Sequence, residues 1–482
     1  MQLTLHRRSC IPFFTILMLS LLLNKLNAAG PSNPNIIYIL ADDLGYGELG
    51  SYGQKLISTP RLDQMAKEGM LFTQFYAGGT VCAPSRSVLM TGQHQGRTRI
   101  RGNAGNRPVT ATYLREEDFT IAELLRGQGY KTAVIGKWGL GNFGAAEAGL
   151  PTRQGFDYFF GYLNHTHAHN HFTDHLWRNE EKVKIPNEVK AIGKAGGGYA
   201  TKQTTYVEDL FCDEAIAFVK QNKEKPFFLY WSMVVPHANN ERRSALGDGA
   251  NVPDYGPYEN KDWPTPNKGH AAMITRMDEH VGRMLDQLRT LGLAENTLVL
   301  FSSDNGPHKE SGHDTQLFKP SGPLRGFKRD LTEGGIRVPH IAWWPGKIKP
   351  GSVSAHVGYS GDLMATAAEL ANAKNPPQTD SISFLPTLLG NSKKQAAHEF
   401  LYWEFHERGF SQAVLYQGRW KAIRSQRLNA PLELYDLKND LGENENIASK
   451  HPKIISKIEN YLKTARSESA DWPITSTVSQ RD

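Results

Sequence analysis

The sequence predicts an α/β fold: a large, mostly parallel β-sheet sandwiched by helices, followed by a small C-terminal antiparallel sheet with one packed helix. Three observations predict it. Short apolar runs alternate with amphipathic helical segments over most of the chain, the pattern of parallel strands joined by crossover helices. Polar residues with useful chemistry sit just after those runs, and in such sheets ligands bind beyond the carboxyl ends of the strands. Near residue 370 the alternation stops and closely spaced short strand candidates take over.

Pro34 to Asp43 is apolar and β-branched up to two carboxylates, so it reads as a buried strand ending in Asp42 and Asp43. Thr59 to Glu68 reads as a helix capped by Thr59, with Pro60 in its first position, where a missing N–H is no loss. Thr120 to Gln128 is a second helix and leads into a strand at Tyr130 to Ile135, just before Lys137. Tyr206 to Lys220 is amphipathic and helical, and Phe227 to Met233 is an apolar strand running towards His237. Ala271 to Leu288 has helical apolar spacing and precedes a strand at Thr297 to Ser302, which stops short of Asp304 and Asn305. Four strand ends can therefore converge on one pocket. Asn372 to Thr379 is loop-like; strand candidates follow at Glu399 to Phe405, Ser411 to Gln417, Trp420 to Arg424 and Glu433 to Tyr435, then a helix at Lys453 to Ala465. The expected organisation is an α/β catalytic domain over 30–370, an α+β subdomain over 371–467 and a loose polar tail over 468–482.

Residues 1–29 read as an export signal. His6, Arg7 and Arg8 precede an apolar run of 13 residues from Ile11 to Leu23, and Leu26-Asn27-Ala28-Ala29 offers a small-residue cleavage site. The run is short for a hydrocarbon core of about 30 Å. No other segment is apolar and long enough to span a membrane, so the chain is expected to be exported, periplasmic or secreted, without stable membrane insertion. The formal charge of +6 drops by three, to +3, without Arg7, Arg8 and Lys25. No dense Lys/Arg stripe is present, which argues against nucleic acid as a partner. Cys82 and Cys212 remain after export, and an oxidising compartment permits a bridge between them without requiring one.

Asp42, Asp43, Asp304 and Asn305 are hard oxygen ligands. Adjacent carboxylates at a strand end repel one another unless a cation is present, and an oxygen-only set suits calcium or magnesium rather than zinc. Either pair alone also reads as a turn or helix cap. In Cys82-Ala83-Pro84-Ser85-Arg86, Pro84 fits near a helix start, which places Cys82 at the N-terminus, where free N–H groups stabilise an anion or nucleophile. Arg86 lies four residues on and returns to the same face.

With this segment the chain resembles the type I, formylglycine-dependent sulfatase family of the alkaline phosphatase-like superfamily, whose Cys-x-Pro-Ser-Arg motif is modified to formylglycine. Asp42-Asp43-Leu44-Gly45-Tyr46-Gly47, Asp304-Asn305-Gly306, Gly136-Lys137-Trp138, Pro236-His237, Leu324-Arg325-Gly326-Phe327-Lys328 and Glu333-Gly334-Gly335-Ile336-Arg337-Val338-Pro339 resemble further family segments in the same order. The resemblance implies an aldehyde at position 82, hydrated to a diol. One hydroxyl attacks sulfur and the other eliminates sulfate. It implies calcium on Asp42, Asp43, Asp304 and Asn305. Arg86 would hold the modified residue, Lys137 would contact sulfate or supply a proton, Lys328 would clamp sulfate, and His237 would be the general acid at the leaving alcohol. The implied partners are a sulfated oligosaccharide or polysaccharide and a formylglycine-generating or anaerobic sulfatase-maturing enzyme. Galactose and N-acetylgalactosamine sulfates are the leading sugars.

The stretch Phe156 to Trp177 holds His165, His167, His169, His171 and His175 among aromatic residues. It reads as a sugar subsite, with incidental surface histidines or a zinc site as alternatives. His167, His169, Asn239, His308, His313 and Asp314 are the expected substrate contacts. These loops resemble bacterial polysaccharide sulfatases more than lysosomal arylsulfatases. A phosphatase or phosphodiesterase of the same superfamily, and a catalytically silent glycan-binding homologue, are the alternative readings. One departure stands out: many family members read Gly-Lys-Trp-His-Leu-Gly, whereas this chain has Gly139 at the histidine position. Glycine there either cripples the enzyme or makes room for an imidazole from elsewhere, and His167 or His169 is the expected donor.

Overall fold

The computed structural model describes residues 33–474, except 106, 145, 146 and 194. The expected export signal and residues 475–482 lie outside the described residues. Ten strands form the main sheet: β1 Asn35–Ala41, β2 Met70–Phe72, β3 Lys131–Lys137, β4 Tyr158–Tyr162, β5 His175–Arg178, β6 Glu181–Lys184, β7 Phe227–Ser232, β8 Thr297–Ser303, β9 His340–Trp343 and β10 Ser352–Ser354. Their spatial order is β10-β2-β9-β8-β1-β7-β3-β4-β5-β6. The centre, β8-β1-β7-β3-β4, is parallel. The margins are mixed, with antiparallel pairs β8–β9, β9–β2, β4–β5 and β5–β6. The parallel centre is as expected, and the outer strands, short additions rather than crossover units, make the margins mixed.

β1 shows why the centre is buried on both sides. Ile37, Ile39 and Ala41 face a cluster with α1 (Pro60–Glu68), α4 (Val207–Gln221) and α5 (Thr265–Thr290). Ile36, Tyr38 and Leu40 point the other way, towards α2 (Cys82–Thr91), α3 (Ile121–Gly127) and α6 (Leu363–Leu370). This is the period-2 alternation of a strand between two helix layers. Each large side chain so buried contributes about 1.5–3 kcal/mol. Asn35 sets the start of the central strands: its Nδ2 donates to Thr297 Oγ1 at 3.2 Å and its Oδ1 accepts from Phe227 N at 3.2 Å.

Helix starts follow sequence chemistry with one exception. Thr120 and Glu123 form the capping box of α3. Thr59 does not cap α1; its Oγ1 accepts from Gly50 N at 2.8 Å. The orphan donors Arg61 N and Leu62 N instead reach Asp278 of α5, at 3.0 and 2.7 Å.

The four C-terminal strands, β11 Phe400–Phe405, β12 Ser411–Tyr416, β13 Trp420–Arg424 and β14 Glu433–Asp436, form an antiparallel sheet in chain order. One face, with Trp403, Phe405, Leu415 and Ile423, packs on Tyr76, Val81, Val88 and Ile336. The other, with Val414, Ala422 and Leu434, is covered by α7 (Pro452–Leu462) through Ile458. The sheet therefore braces both flanks of Cys82. The described part of the expected loose tail is anchored rather than loose: Trp472 is fully buried, its carbonyl accepts from Arg466 Nη2 at 2.8 Å, and Arg107 lies over its ring.

Candidate active site

The two oxygen-rich strand ends meet because their strands are neighbours. β1 pairs with β8 so that Ala41 lies opposite Ser303. The backbone stays tied one residue further, with Asp304 N donating to Ala41 O at 3.1 Å. Asp43 turns into the left-handed region at φ 69°, which Asp tolerates better than most residues, and its N–H donates to Asp304 Oδ1 at 3.0 Å. Asn305 Nδ2 donates to Asp43 Oδ1 at 2.7 Å. Asp42, Asp43, Asp304 and Asn305 are all buried. Among the described residues, Asp42 Oδ1 and Asn305 Oδ1 have no hydrogen-bond partner. Two orphan oxygens in a buried carboxylate cluster are what a hard cation would satisfy.

Cys82 is the first residue of α2, and all ten residues of that helix are buried. Its thiol lies 3.7 Å from Asn103 Oδ1, which also accepts from Ala83 N at 3.3 Å. Burial pushes the thiol pKa up, against the pull of Lys137 and Lys328. Cys82 and Cys212 are both free. Arg86, one turn on, spans the pocket floor. Its Nε and Nη2 donate to Asp304 Oδ2 at 3.1 and 2.9 Å, and its Nη1 donates to Lys137 O at 2.9 Å and to Ser232 Oγ. The guanidinium thus links the ends of β3, β7 and β8 to the cysteine helix.

Two lysines complete the cluster. Lys137, the last residue of β3, places Nζ 2.5 Å from Asp42 Oδ2. Lys328 places Nζ 2.8 Å from Asp43 Oδ2 and 3.3 Å from His237 Nε2. Burial would raise the Asp42 carboxyl, but Lys137, His237, Arg86 and Lys328 outweigh it and hold it well below its usual range. Burial and the Asp42 charge push Asp304 up instead. His237 follows the only cis peptide among the described residues, Val235-Pro236. Its Nδ1 donates to Ala238 O at 2.7 Å, which leaves Nε2 facing Lys328. Burial, then Lys328, press its pKa well down, so the imidazole is neutral. All nine expected catalytic and metal positions therefore gather at one set of strand ends. A cleft of about 390 Å³ opens beside Lys328, lined by Lys309, Glu310, Phe327, Arg329, Asp330 and Arg408.

Sequence reasoning missed the backbone hub behind this cluster. The short helix Glu333–Ile336 holds three site segments at once. Gly306 N donates to Gly335 O at 3.0 Å, Thr80 Oγ1 approaches the same carbonyl at 3.3 Å, and Gly334 N donates to Arg325 O at 2.7 Å. A Cβ on Gly306 would lie 1.9 Å from Gly334 O, so only glycine fits. Glu333 is buried and anchored from the C-terminal sheet by Lys421, at 2.8 Å.

This geometry matches known proteins. The family model described as Sulfatase matches residues 34–373, and that described as N-sulphoglucosamine sulphohydrolase, C-terminal, matches 326–468. The chain belongs to the sulfatase family. N-acetylgalactosamine-6-sulfatase of Sus scrofa is 34% identical, over 76% of this chain and 69% of its own length. N-acetylgalactosamine-6-O-sulfatase of Bacteroides thetaiotaomicron is 30% identical, over 92% and 95%. A crystal structure of Ps i-CgsB in complex with k-i-k-neocarrahexaose superposes with TM-score 0.73 at 25% identity, covering 92% of this chain and 95% of that one. A phosphonate monoester hydrolase of Agrobacterium radiobacter shares the fold at TM-score 0.62 and 19% identity, with 90% and 95% covered.

The sulfatase's expected substrate residues divide. His169 stacks on His237, with ring centroids 4.9 Å apart, and its Nδ1 bonds Glu241 at 3.1 Å. Asn239 is a buried helix cap, accepting from Arg242 N at 2.9 Å and donating to Gly198 O at 3.2 Å. Asp314 is likewise a cap, accepting from Gln316 N and Leu317 N at 2.8 and 3.2 Å. His308 donates to Pro236 O at 2.9 Å and accepts from Glu310 N at 3.0 Å, while His313 stacks on His270 at 3.9 Å. His167 turns away from the cluster. Its Nε2 bonds Thr173 Oγ1 at 2.6 Å and its ring packs on Tyr162 and His175. The imidazole beside Gly139 belongs to His165, not His167 or His169: a Cβ at 139 would lie 2.5 Å from His165 Cε1 and 2.7 Å from Nε2. Asn164 caps the short helix His165–Ala168 through His167 N, and that turn throws His165 inward. His167, Asp174 and His175 hold ligand atoms within 4.8 Å of one another, with His167 Nε2 on Thr173 Oγ1 and His175 Nδ1 on Asp174 Oδ1.

Proposed function

We propose that this sulfatase removes sulfate from N-acetylgalactosamine or galactose units of a sulfated polysaccharide, using calcium and a formylglycine made from Cys82. The observation that carries the reading is the buried convergence of the Cys82 helix N-terminus, Arg86, Lys137 and Lys328 on four oxygen ligands, two of whose oxygens lack a hydrogen-bond partner, though Arg86 Nη2 lies 3.5 Å from one of them, Asp42 Oδ1. The sugar is supported by the names of the N-acetylgalactosamine-6-sulfatase relatives. The basic residues Lys309, Arg329 and Arg408 along the cleft suit an anionic chain. Residues 1–29 support export, with the periplasm or exterior as destination, and a formylglycine-generating or anaerobic sulfatase-maturing enzyme would be the partner that modifies Cys82.

When present, calcium would neutralise sulfate oxygens and the aldehyde hydrate would supply the attacking hydroxyl. The chain's own residues do the rest. Asp42, Asp43, Asp304 and Asn305 hold the cation. Each ammonium has three N–H donors, so Lys137 on Asp42 and Lys328 on Asp43 can turn a further donor towards a sulfate oxygen. Arg86, fixed on Asp304 and two strand ends, orients residue 82 from below. Lys328 and His237 stand together beside the cleft, where a proton must reach the departing alcohol. Backbone N–H groups at the start of α2 face developing negative charge at residue 82.

The test is the mass of the tryptic peptide containing residue 82, paired with sulfate release from 6-sulfated N-acetylgalactosamine. The expected result is the aldehyde mass and repeated turnover. Cys82→Ser, lacking a second hydroxyl, should take up at most one sulfate per site. An unmodified thiol in protein made alongside a maturing enzyme, with no sulfate release, would favour the silent glycan-binding reading.

A further inference from the structure

Both ring nitrogens of His165 are buried, yet neither has a hydrogen-bond partner among the described residues. The other histidines around the pocket are committed. His167 holds Thr173, His169 holds Glu241, His171 bonds His237 O, His237 bonds Ala238 O, and His308 bonds Pro236 O. Leaving a buried imidazole unpartnered is unfavourable, so one that persists beside a reactive centre points to a partner supplied by the reaction. The ring lies on the bare Cα face of Gly139, whose φ of 77° and missing Cβ make the space.

The surroundings tie His165 to residue 82. Arg86, one turn along α2 from Cys82, donates to Lys137 O at 2.9 Å, and Gly139, which the His165 ring covers, follows Lys137 by two residues. Burial, Lys137 and Arg86 keep the imidazole neutral, with a lone pair to offer, while Asp42 favours the imidazolium once it forms.

We infer that His165 is the general base that releases sulfate from residue 82, an inference that rests on the nucleophile proposed above. The imidazole takes the proton of the residue-82 hydroxyl that does not carry sulfate. The electron pair of that O–H bond becomes the second bond of the aldehyde C=O. The bond between that carbon and the sulfate-bearing oxygen breaks, and its pair leaves on sulfate. The imidazolium then returns its proton to water. Gly139 and His165 thus act as a pair: the glycine removes a side chain and the histidine fills its place.

The test uses the matured full-length enzyme with 6-sulfated N-acetylgalactosamine. The wild type comes first. If it lacks the aldehyde or does not turn over, the proposed function fails, and this inference with it. Given an active wild type, His165→Ala should release one equivalent of desulfated sugar per site and then stall, with sulfate retained on the residue-82 peptide. Its steady-state kcat should fall by about 10²–10⁴-fold, the range for a lost general base. His165→Asn controls for folding and should behave alike. In His165→Gly, added imidazole should restore kcat and also raise the melting temperature, a binding readout independent of turnover, with no such shift in the wild type. Wild-type kcat in His165→Ala, or loss of activity in both folded variants without retained sulfate, overturns the assignment.

Discussion

Replacing Lys421 by methionine should damage a catalytic site that this lysine never touches. Lys421 sits on β13 of the C-terminal sheet, fully buried, with Nζ 2.8 Å from Glu333 Oε1 and 3.7 Å from Glu443 Oε1. Glu333 also accepts from Tyr76 Oη at 2.8 Å, and Glu443 accepts from Glu333 N at 2.8 Å. Methionine keeps the bulk of the stem and removes the charge. Two buried carboxylates then face one another, offset by Arg337, 3.2 Å from Glu333 Oε2, and by the charge of Arg325 near Glu443. Breaking a buried pair by removing one partner costs about 3–5 kcal/mol. Burial and Glu333 already push Glu443 up to about 7 against the pull of Lys421. Without Lys421 its folded pKa rises further above the unfolded value; both proteins lose stability alike up to about pH 7, and the deficit should grow as pH rises beyond it. Glu333 opens the helix whose carbonyls hold Gly306 and Thr80, so kcat should fall even where the protein stays folded. Urea unfolding, followed by fluorescence of Trp403 under Lys421, measures the first effect. Lys421→Met/Glu443→Gln should recover part of the loss. A deficit below about 1 kcal/mol at pH 7, with unchanged kcat, would refute the claim that this charge network supports the site.

Three further outcomes are expected. Calcium at 100 times its Kd should stabilise the chelated protein by about 2.7 kcal/mol and restore turnover; equal melting temperatures with and without the ion would remove the metal assignment. Glu208, buried in α4, is pushed up from 4.5 to about 8 by burial, against its bond from Val234 N. The unfolded chain releases this proton near pH 4.5 and the folded one only near 8, so stability falls across that window. Glu208→Gln should flatten the decline by a few kcal/mol, read as the difference between the two stability–pH curves. Gly139→Ala puts a methyl 2.5 Å from His165 Cε1 at a φ of 77°. Backbone strain alone costs about 1–2 kcal/mol, and displacing the ring should lower kcat; unchanged kcat with an unchanged melting curve would show that the site yields freely.

Four of the five parallel central strands were legible because each is an apolar run ending in a polar group; β4, Tyr158–Tyr162, was hidden in the histidine-rich stretch read as a sugar subsite. β1, β7 and β8 fall within a residue or two of their expected limits. The margins were not legible: β6 is Glu-Lys-Val-Lys, an edge strand whose polarity hides it, and β2 and β10 are three residues each. The cysteine, lysine and carboxylate positions could be read because their chemistry follows a strand end or a helix start. Asn103 could not, since it reaches Cys82 from 21 residues away in sequence without a motif of its own. Asn239 and Asp314 show the opposite limit: a polar residue in a pocket loop and a helix cap look alike in sequence, and here both accept backbone N–H bonds, from Arg242 and Gln316. The histidine-rich loop shows where spacing stops being informative. His165, His167 and His169 alternate as though they shared a face, but Asn164 starts a helical turn there, and on a helix residues two apart point in different directions. His165 therefore reaches Gly139, His167 turns back to Thr173, and His169 stacks on His237. The glycine at 139 was the one sequence signal that a ring could enter there. Which histidine enters is decided by a local helix cap, below what apolar periodicity can resolve.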